Sequence, residues 1–208
     1  MNLINNNIKI KTPKQFPVNG GGGDWPLVID HVRDYAWMRT GLTNYEIQSI
    51  IDIGTDCSVQ KASIVGPQND AIRNSKTSFI FPNNHTSWLF AKTTDMVNYI
   101  NDSFFKFDIQ TMGQGLQYAE YTAPMEHYSW HIDKGVGLRK LSMSIQLSDP
   151  DEYEGGDFEI WTGGEPIKLE KEKGMAFFFP SYVMHRVTPV TAGTRKSLVC
   201  WTSGPPFR

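Results

Sequence analysis

Residues 139–147 read RKLSMSIQL. Leu141, Met143, Ile145 and Leu147 alternate with Lys140, Ser142, Ser144 and Gln146, the period of two that marks a half-buried strand with one polar face. Successive strand side chains point to opposite faces, so the two sets part company at every residue. From about residue 105 the chain keeps this character. GMAFFFP (174–180) is a short apolar run bounded by Gly174 and Pro180 and fits a buried strand, and RKSLVCWTS (195–203) alternates again. Gly155-Gly156, Gly163-Gly164 and Ala192-Gly193 supply turn signals between the segments. Many short strands joined by Gly-rich turns predict a sandwich or barrel.

Upstream the period lengthens. In TNYEIQSIIDIG (43–54), Thr43 and Glu46 have capping-box spacing, Ile47, Ile50 and Ile51 share a helical face, and Gly54 is placed to end the helix. A second helix is expected over TDMVNYIND (94–102), with Met96, Val97 and Ile100 at core spacing. Residues 1–24, ending NGGGGD, are polar and Gly-rich and read as a flexible arm; the glycines lack the Gly-Lys-Ser/Thr of a phosphate-binding loop. The expected organisation is one domain over 25–208, with helical support over about 40–105 and a β-core over about 105–208. No repeat of 20–50 residues is visible.

The whole chain has 208 residues, 39% hydrophobic and 20% charged, with a net charge of −2. That length suits a single domain with a substantial core. The near-neutral balance offers no footprint for nucleic acid or an anionic membrane. Cys57 and Cys200 are too few for a disulfide framework or a thiolate cluster. MNLINNNIKIK lacks the apolar stretch of a signal peptide, and nothing approaches the ~18 apolar residues of a membrane span. A cytoplasmic location is the expectation.

Chemistry concentrates in EHYSWHIDKG (126–135), two of the five histidines within ten positions. On a strand His131 and Asp133 point the same way and offer a metal two ligands. Alone, such a tripeptide is weak evidence, since a single strand histidine is usually structural. His185, 54 positions beyond His131, follows a buried strand and the Pro180-Ser181 turn. Two imidazoles and a carboxylate form a facial set with open positions, the pattern of non-haem Fe(II) oxygenases, although zinc can use the same ligands. Arg195, ten residues after His185, offers a planar fork for a carboxylate. It suits the far carboxylate of a 2-oxoglutarate cosubstrate; most arginines are merely solvated.

The run from Tyr118 to Phe207 resembles the prolyl 4-hydroxylase branch of the Fe(II)/2-oxoglutarate oxygenases, including bacterial PKHD-type hydroxylases and phage relatives. The matching pieces are WHID (130–133), RKLSMSIQLSDPDEYEGGDFEI (139–160), KGMAFFFPSYVMHRVTPVTAGTRKSLVCW (173–201) and the terminal GPPFR. GLTNYEIQSIIDIG and IRNSKTSFIF (72–81) resemble the family's leading segments more loosely. The resemblance implies a mainly β, double-stranded β-helix (jelly-roll, cupin-like) with flanking N-terminal helices. It implies His131, Asp133 and His185 as iron ligands, Arg195 as the 2-oxoglutarate anchor, and Tyr121 and Trp201 beside the cosubstrate. Some relatives carry a further tyrosine on the strand after the His-x-Asp motif; Gln146 is the residue here that could substitute for it. Fe(II), 2-oxoglutarate and O2 follow as requirements, with ascorbate as a reductant.

The implied reaction is hydroxylation of an unactivated C–H, a prolyl residue of a peptide or protein being the expected substrate and partner. A free amino acid or small metabolite is the alternative substrate. A non-enzymatic metal-binding jelly-roll and a cupin-type isomerase are the competing classes. Residues 1–24 and NDAIRNSKTSFIFPNNH (69–85) are candidates for a lid or peptide groove. By strand parity His127 shares a side with His131, as a structural or supporting residue, whereas Tyr128 and Trp130 face away. His31 and His85 have no partner motif, Phe177, Phe178 and Phe179 read as core, and the acids of Glu154-Gly155-Gly156-Asp157 read as a solvated turn.

Overall fold

The computed structural model describes residues 34–62, 69–133 and 138–207. Two antiparallel sheets face one another. The larger runs in the order β1 (Ala36–Arg39), β11 (Met175–Pro180), β7 (Arg139–Gln146), β13 (Val190–Ser203), β5 (Leu116–Thr122), β4 (Lys76–Ile80) and β2 (Gln60–Lys61), with β8 (Tyr153–Gly155) attached to β13. The smaller runs β10 (Ile167–Lys168), β9 (Phe158–Trp161), β12 (Met184–Val187), β6 (His127–His131) and β3 (Arg73–Asn74). This is the jelly-roll expected from the alternating pattern.

Two helices cover the outer face of the larger sheet. α1 (Asn44–Asp56) begins with the capping box read from Thr43 and Glu46 and buries Ile47 and Ile50. Gly54 does not end it. The helix continues to Asp56, and Gly54 lies against the Tyr118 ring, where a Cβ would collide. α2 (Ser87–Ile100) starts earlier than its apolar spacing suggests and buries Met96, Val97 and Ile100.

Period two decides what each strand gives to each layer. Leu141, Met143 and Ile145 of β7, Ala176 and Phe178 of β11 and Leu198 and Cys200 of β13 join the helices in one core. Phe177 and Phe179 point the other way, into the space between the sheets, with Phe158, Val183 and Val187. β7 differs from the sequence reading in one respect: its polar face is buried too, with Ser142, Ser144 and Gln146 at 0%, 5% and 2% exposure. Those residues face the interior of the roll. Ala192-Gly193 does not separate strands either. β13 runs through it with a register shift against β8, and Gly193 takes φ 69° where the backbone presses on Glu152.

Candidate functional site

The inner layer opens into a cavity of about 410 Å³, counting space open to solvent. β6 and β12 pair so that His131 and His185 are directly opposite, with ring centroids 4.0 Å apart. Asp133 follows just past the end of β6, its backbone N–H donating 2.8 Å to the Ser181 carbonyl. Its Oδ1 lies 3.8 Å from Nε2 of His131 and its Oδ2 lies 3.5 Å from Nε2 of His185. One potential ligand atom from each of the three residues falls within 4.8 Å of the other two.

Each imidazole is oriented by its own strand. Nδ1 of His131 lies 2.8 Å from the Ser129 carbonyl, and Nδ1 of His185 lies 3.0 Å from the Val183 carbonyl. A carbonyl only accepts, so both Nδ1 atoms carry a proton and both Nε2 atoms face Asp133. Burial, reinforced by the neighbouring His185, pushes His131 down to about 3, which keeps it neutral. Burial alone would raise the Asp133 carboxyl. The two histidines and a 2.7 Å hydrogen bond donated by Ser142 Oγ outweigh it and hold the carboxyl below its usual range. A neutral His131 imidazole beside an ionised carboxylate suits a divalent cation.

Arg195 stands across the cavity on β13, 1% exposed. It donates 2.8 Å to Gln146 Oε1 and 3.4 Å to Ser197 Oγ, while its buried Nε–H has no acceptor. Tyr121 is its cross-strand partner, the ring 5.5 Å from the guanidinium. None of the described residues pairs a carboxylate with this charge. Burying a cation against neutral acceptors is costly, and an incoming carboxylate would remove the cost. The donor set thus fits a dicarboxylate, with a metal at the opposite end.

His131, Asp133, His185, Arg195, Tyr121 and Trp201 all line this one cavity. Gln146 reaches it only through Arg195. Trp201 is held from behind by the Arg139 guanidinium, 4.0 Å from its ring. Strand parity fails in β6. The β6–β12 pairing pairs His131 with His185 and Tyr128 with Val187, an extra residue on the β6 side that marks a bulge. Tyr128 therefore turns inward and stacks on His131 at 3.4 Å between centroids. His127 turns outward, its ring nitrogens against the carbonyls of Met125 and Ala71. Trp130 packs under Arg186, 4.6 Å away. Asp157 is not solvated, since Lys168 and Lys171 pair with it at 2.8 and 3.0 Å. His85 lies in the exposed turn before α2, and His31 and the residue 1–24 arm fall outside the described residues. Arg73, to which the sequence reading of IRNSKTSFIF gave no role of its own, is 6% exposed and lines the same cavity.

Comparison with known proteins places this geometry. Residues 116–203 match the 2OG-Fe(II) oxygenase superfamily. That segment is a 2OG-Fe(II) oxygenase domain. A PKHD-type hydroxylase of Synechococcus sp. (strain CC9605) is 44% identical over 80 residues, 36% of this chain and 36% of that protein. The oxygenase domain is thus matched over little more than a third of that relative's length. A prolyl-4-hydroxylase from Pseudomonas putida shares the fold at TM-score 0.66 and 18% identity, over 82% of this chain and 93% of that one. So does a Trichoplax adhaerens prolyl hydroxylase in complex with a hypoxia inducible factor peptide fragment, at TM-score 0.70 and 16% identity over 82% and 83%. The family implies Fe(II), 2-oxoglutarate and O2 as the oxygenase domain's requirements. Among the described residues no helix is long and apolar enough to cross a membrane.

Proposed function

We propose that this protein is an Fe(II)- and 2-oxoglutarate-dependent dioxygenase that hydroxylates a prolyl residue in a peptide or protein. One observation carries the reading: a fully buried arginine, without a carboxylate partner among the described residues, shares a cavity with two histidines and an aspartate whose ligand atoms converge. His131, Asp133 and His185 would hold the metal and leave part of its coordination sphere open. Arg195, steadied by Gln146 and Ser197, would receive the far carboxylate of 2-oxoglutarate, with Tyr121 beside it. Together the metal, 2-oxoglutarate and O2 supply the oxidation, with succinate and CO2 released as one oxygen atom enters the substrate C–H.

The chain's own part is geometry and exclusion of water. Backbone carbonyls fix both imidazoles, Ser142 fixes one carboxylate oxygen, and Phe158, Phe179, Val187 and Val199 wall the cavity with apolar surface. The prolyl assignment draws on the fold relatives, which are prolyl hydroxylases, one of them in complex with a peptide fragment. Purified protein given Fe(II), 2-oxoglutarate and a proline-containing peptide library is expected to consume O2, release succinate and yield peptides heavier by one oxygen atom. Full succinate release by an Asp133→Ala variant overturns the dioxygenase reading. Oxygen on another residue, or on a free amino acid, overturns the prolyl one.

A further inference from the structure

Arg73 sits on β3, at the edge of the smaller sheet, opposite Tyr128. Its residue is 6% exposed and it faces the same cavity as His131 and Arg195. Nε donates 3.0 Å to Ser75 Oγ and Nη2 donates 3.2 Å to Gln117 Oε1. A guanidinium has five N–H donors, and among the described residues the side-chain acceptors it meets are these two neutral oxygens. No carboxylate pairs with Arg73 among the described residues. The guanidinium lies over the Tyr128 ring, 4.4 Å from its centroid, and that same ring stacks on His131. A single side chain separates this cation from the metal-site imidazole.

Charge makes the arrangement informative. A divalent metal, the Asp133 carboxylate, a bound dicarboxylate and Arg195 sum to zero. Among the described residues that line the cavity, Arg73 is then the one charge left uncompensated, and burial makes it costly to leave so. Arg139, whose guanidinium stacks on the cavity residue Trp201, does not itself line the cavity; it is half-buried and donates to Gln114 and the Asp133 carbonyl. We propose that Arg73 is the substrate's anion receptor: the molecule oxidised here carries a carboxylate close to the carbon that receives oxygen. This rests on the oxygenase reading and sharpens it. The carboxylate belongs either to a free amino acid or to an acidic side chain next to the oxidised residue.

The test is equilibrium binding to full-length protein loaded with 2-oxoglutarate and Mn(II), which replaces Fe(II) so that no turnover occurs. Four probes form two matched pairs: L-proline against L-prolinamide, and acetyl-Gly-Pro-Asp-Gly-amide against acetyl-Gly-Pro-Asn-Gly-amide. At least one carboxylate probe is expected to bind roughly tenfold more tightly than its neutral match. Which pair shows the preference identifies the source of the carboxylate. Arg73→Gln is expected to abolish the preference and Arg73→Lys to retain part of it, both with unchanged 2-oxoglutarate affinity as evidence of an intact fold. Equal binding within both pairs, no binding by any probe, or a preference that survives Arg73→Gln overturns the inference while leaving the oxygenase reading standing. Wild-type protein that fails to bind 2-oxoglutarate overturns that reading, and this inference with it.

Discussion

The Gln146 side-chain oxygen lies 2.8 Å from Nη2 of Arg195, a neutral acceptor against a fully buried charge. The pair leaves Arg195 charged and available. A carboxylate at position 146 would occupy the guanidinium permanently and compete with any incoming dicarboxylate. Gln146→Glu is therefore expected to weaken 2-oxoglutarate binding by at least about tenfold while raising the melting temperature of the metal-free protein, since a buried cation gains a partner. Calorimetric titration and thermal melting read the two effects. Unchanged 2-oxoglutarate affinity would remove Arg195 as the anchor.

Ser142 would act on the proposed metal site at one remove. Its hydroxyl donates to Oδ2 of Asp133 and shares a 3.0 Å contact with Ser181 Oγ. Ser142→Ala would leave one carboxylate oxygen free to swing and cost about 1–3 kcal/mol in lost hydrogen bonding at a buried charge. Supporting bonds of this kind are worth about 10–100-fold in metal affinity, so Fe(II) or Mn(II) affinity is expected to fall within that range. Competition with a chelator measures it. Restoring the hydroxyl with Ser142→Thr should recover part of the loss, whereas a simple packing defect would be worsened by the extra methyl.

Gly54 is where helix propensity and packing oppose one another. Ala for Gly inside a helix favours folding by about 1 kcal/mol. At Gly54 the added Cβ meets the Tyr118 ring, which β5 turns toward α1 and which is itself fully buried. Overpacking of this kind costs about 1–3 kcal/mol, so Gly54→Ala is expected to be net destabilising in urea unfolding. A net gain in stability would mean that the Tyr118 ring moves freely.

What the sequence made readable was whatever depends on local period or on fixed spacing. The alternation in β7 predicted that Ser142, Ser144 and Gln146 share one face, and the structure turns that face toward the cavity. The spacing of His131, Asp133 and His185 identified a set that the pairing of β6 with β12 brings together. Two things stayed hidden because they are products of tertiary contact. Arg73 becomes notable only once folding buries it beside the ring of Tyr128, 55 positions further along the chain. The bulge in β6 leaves no mark in HYSWH, because it is imposed by the neighbouring strand and by the Ser129 N–H donating 2.8 Å to the Ile72 carbonyl.

That bulge makes the last prediction a direct comparison of two adjacent residues. Uninterrupted alternation would put His127 with His131 and send Tyr128 outside. The observed register does the reverse, with Tyr128 against the His131 ring and His127 bonded to carbonyls at the rim. Tyr128→Leu removes the flat surface that fixes the His131 ring and the seat of the Arg73 guanidinium, so metal affinity should drop roughly tenfold. His127→Ala alters a rim contact, and metal affinity should stay within about twofold of wild type, since the facial set is complete without it. Chelator competition on the two variants side by side decides the matter. If His127→Ala proves the more damaging, His127 and not Tyr128 supports the His131 ring, and the β6 bulge does not set the cavity's inner wall.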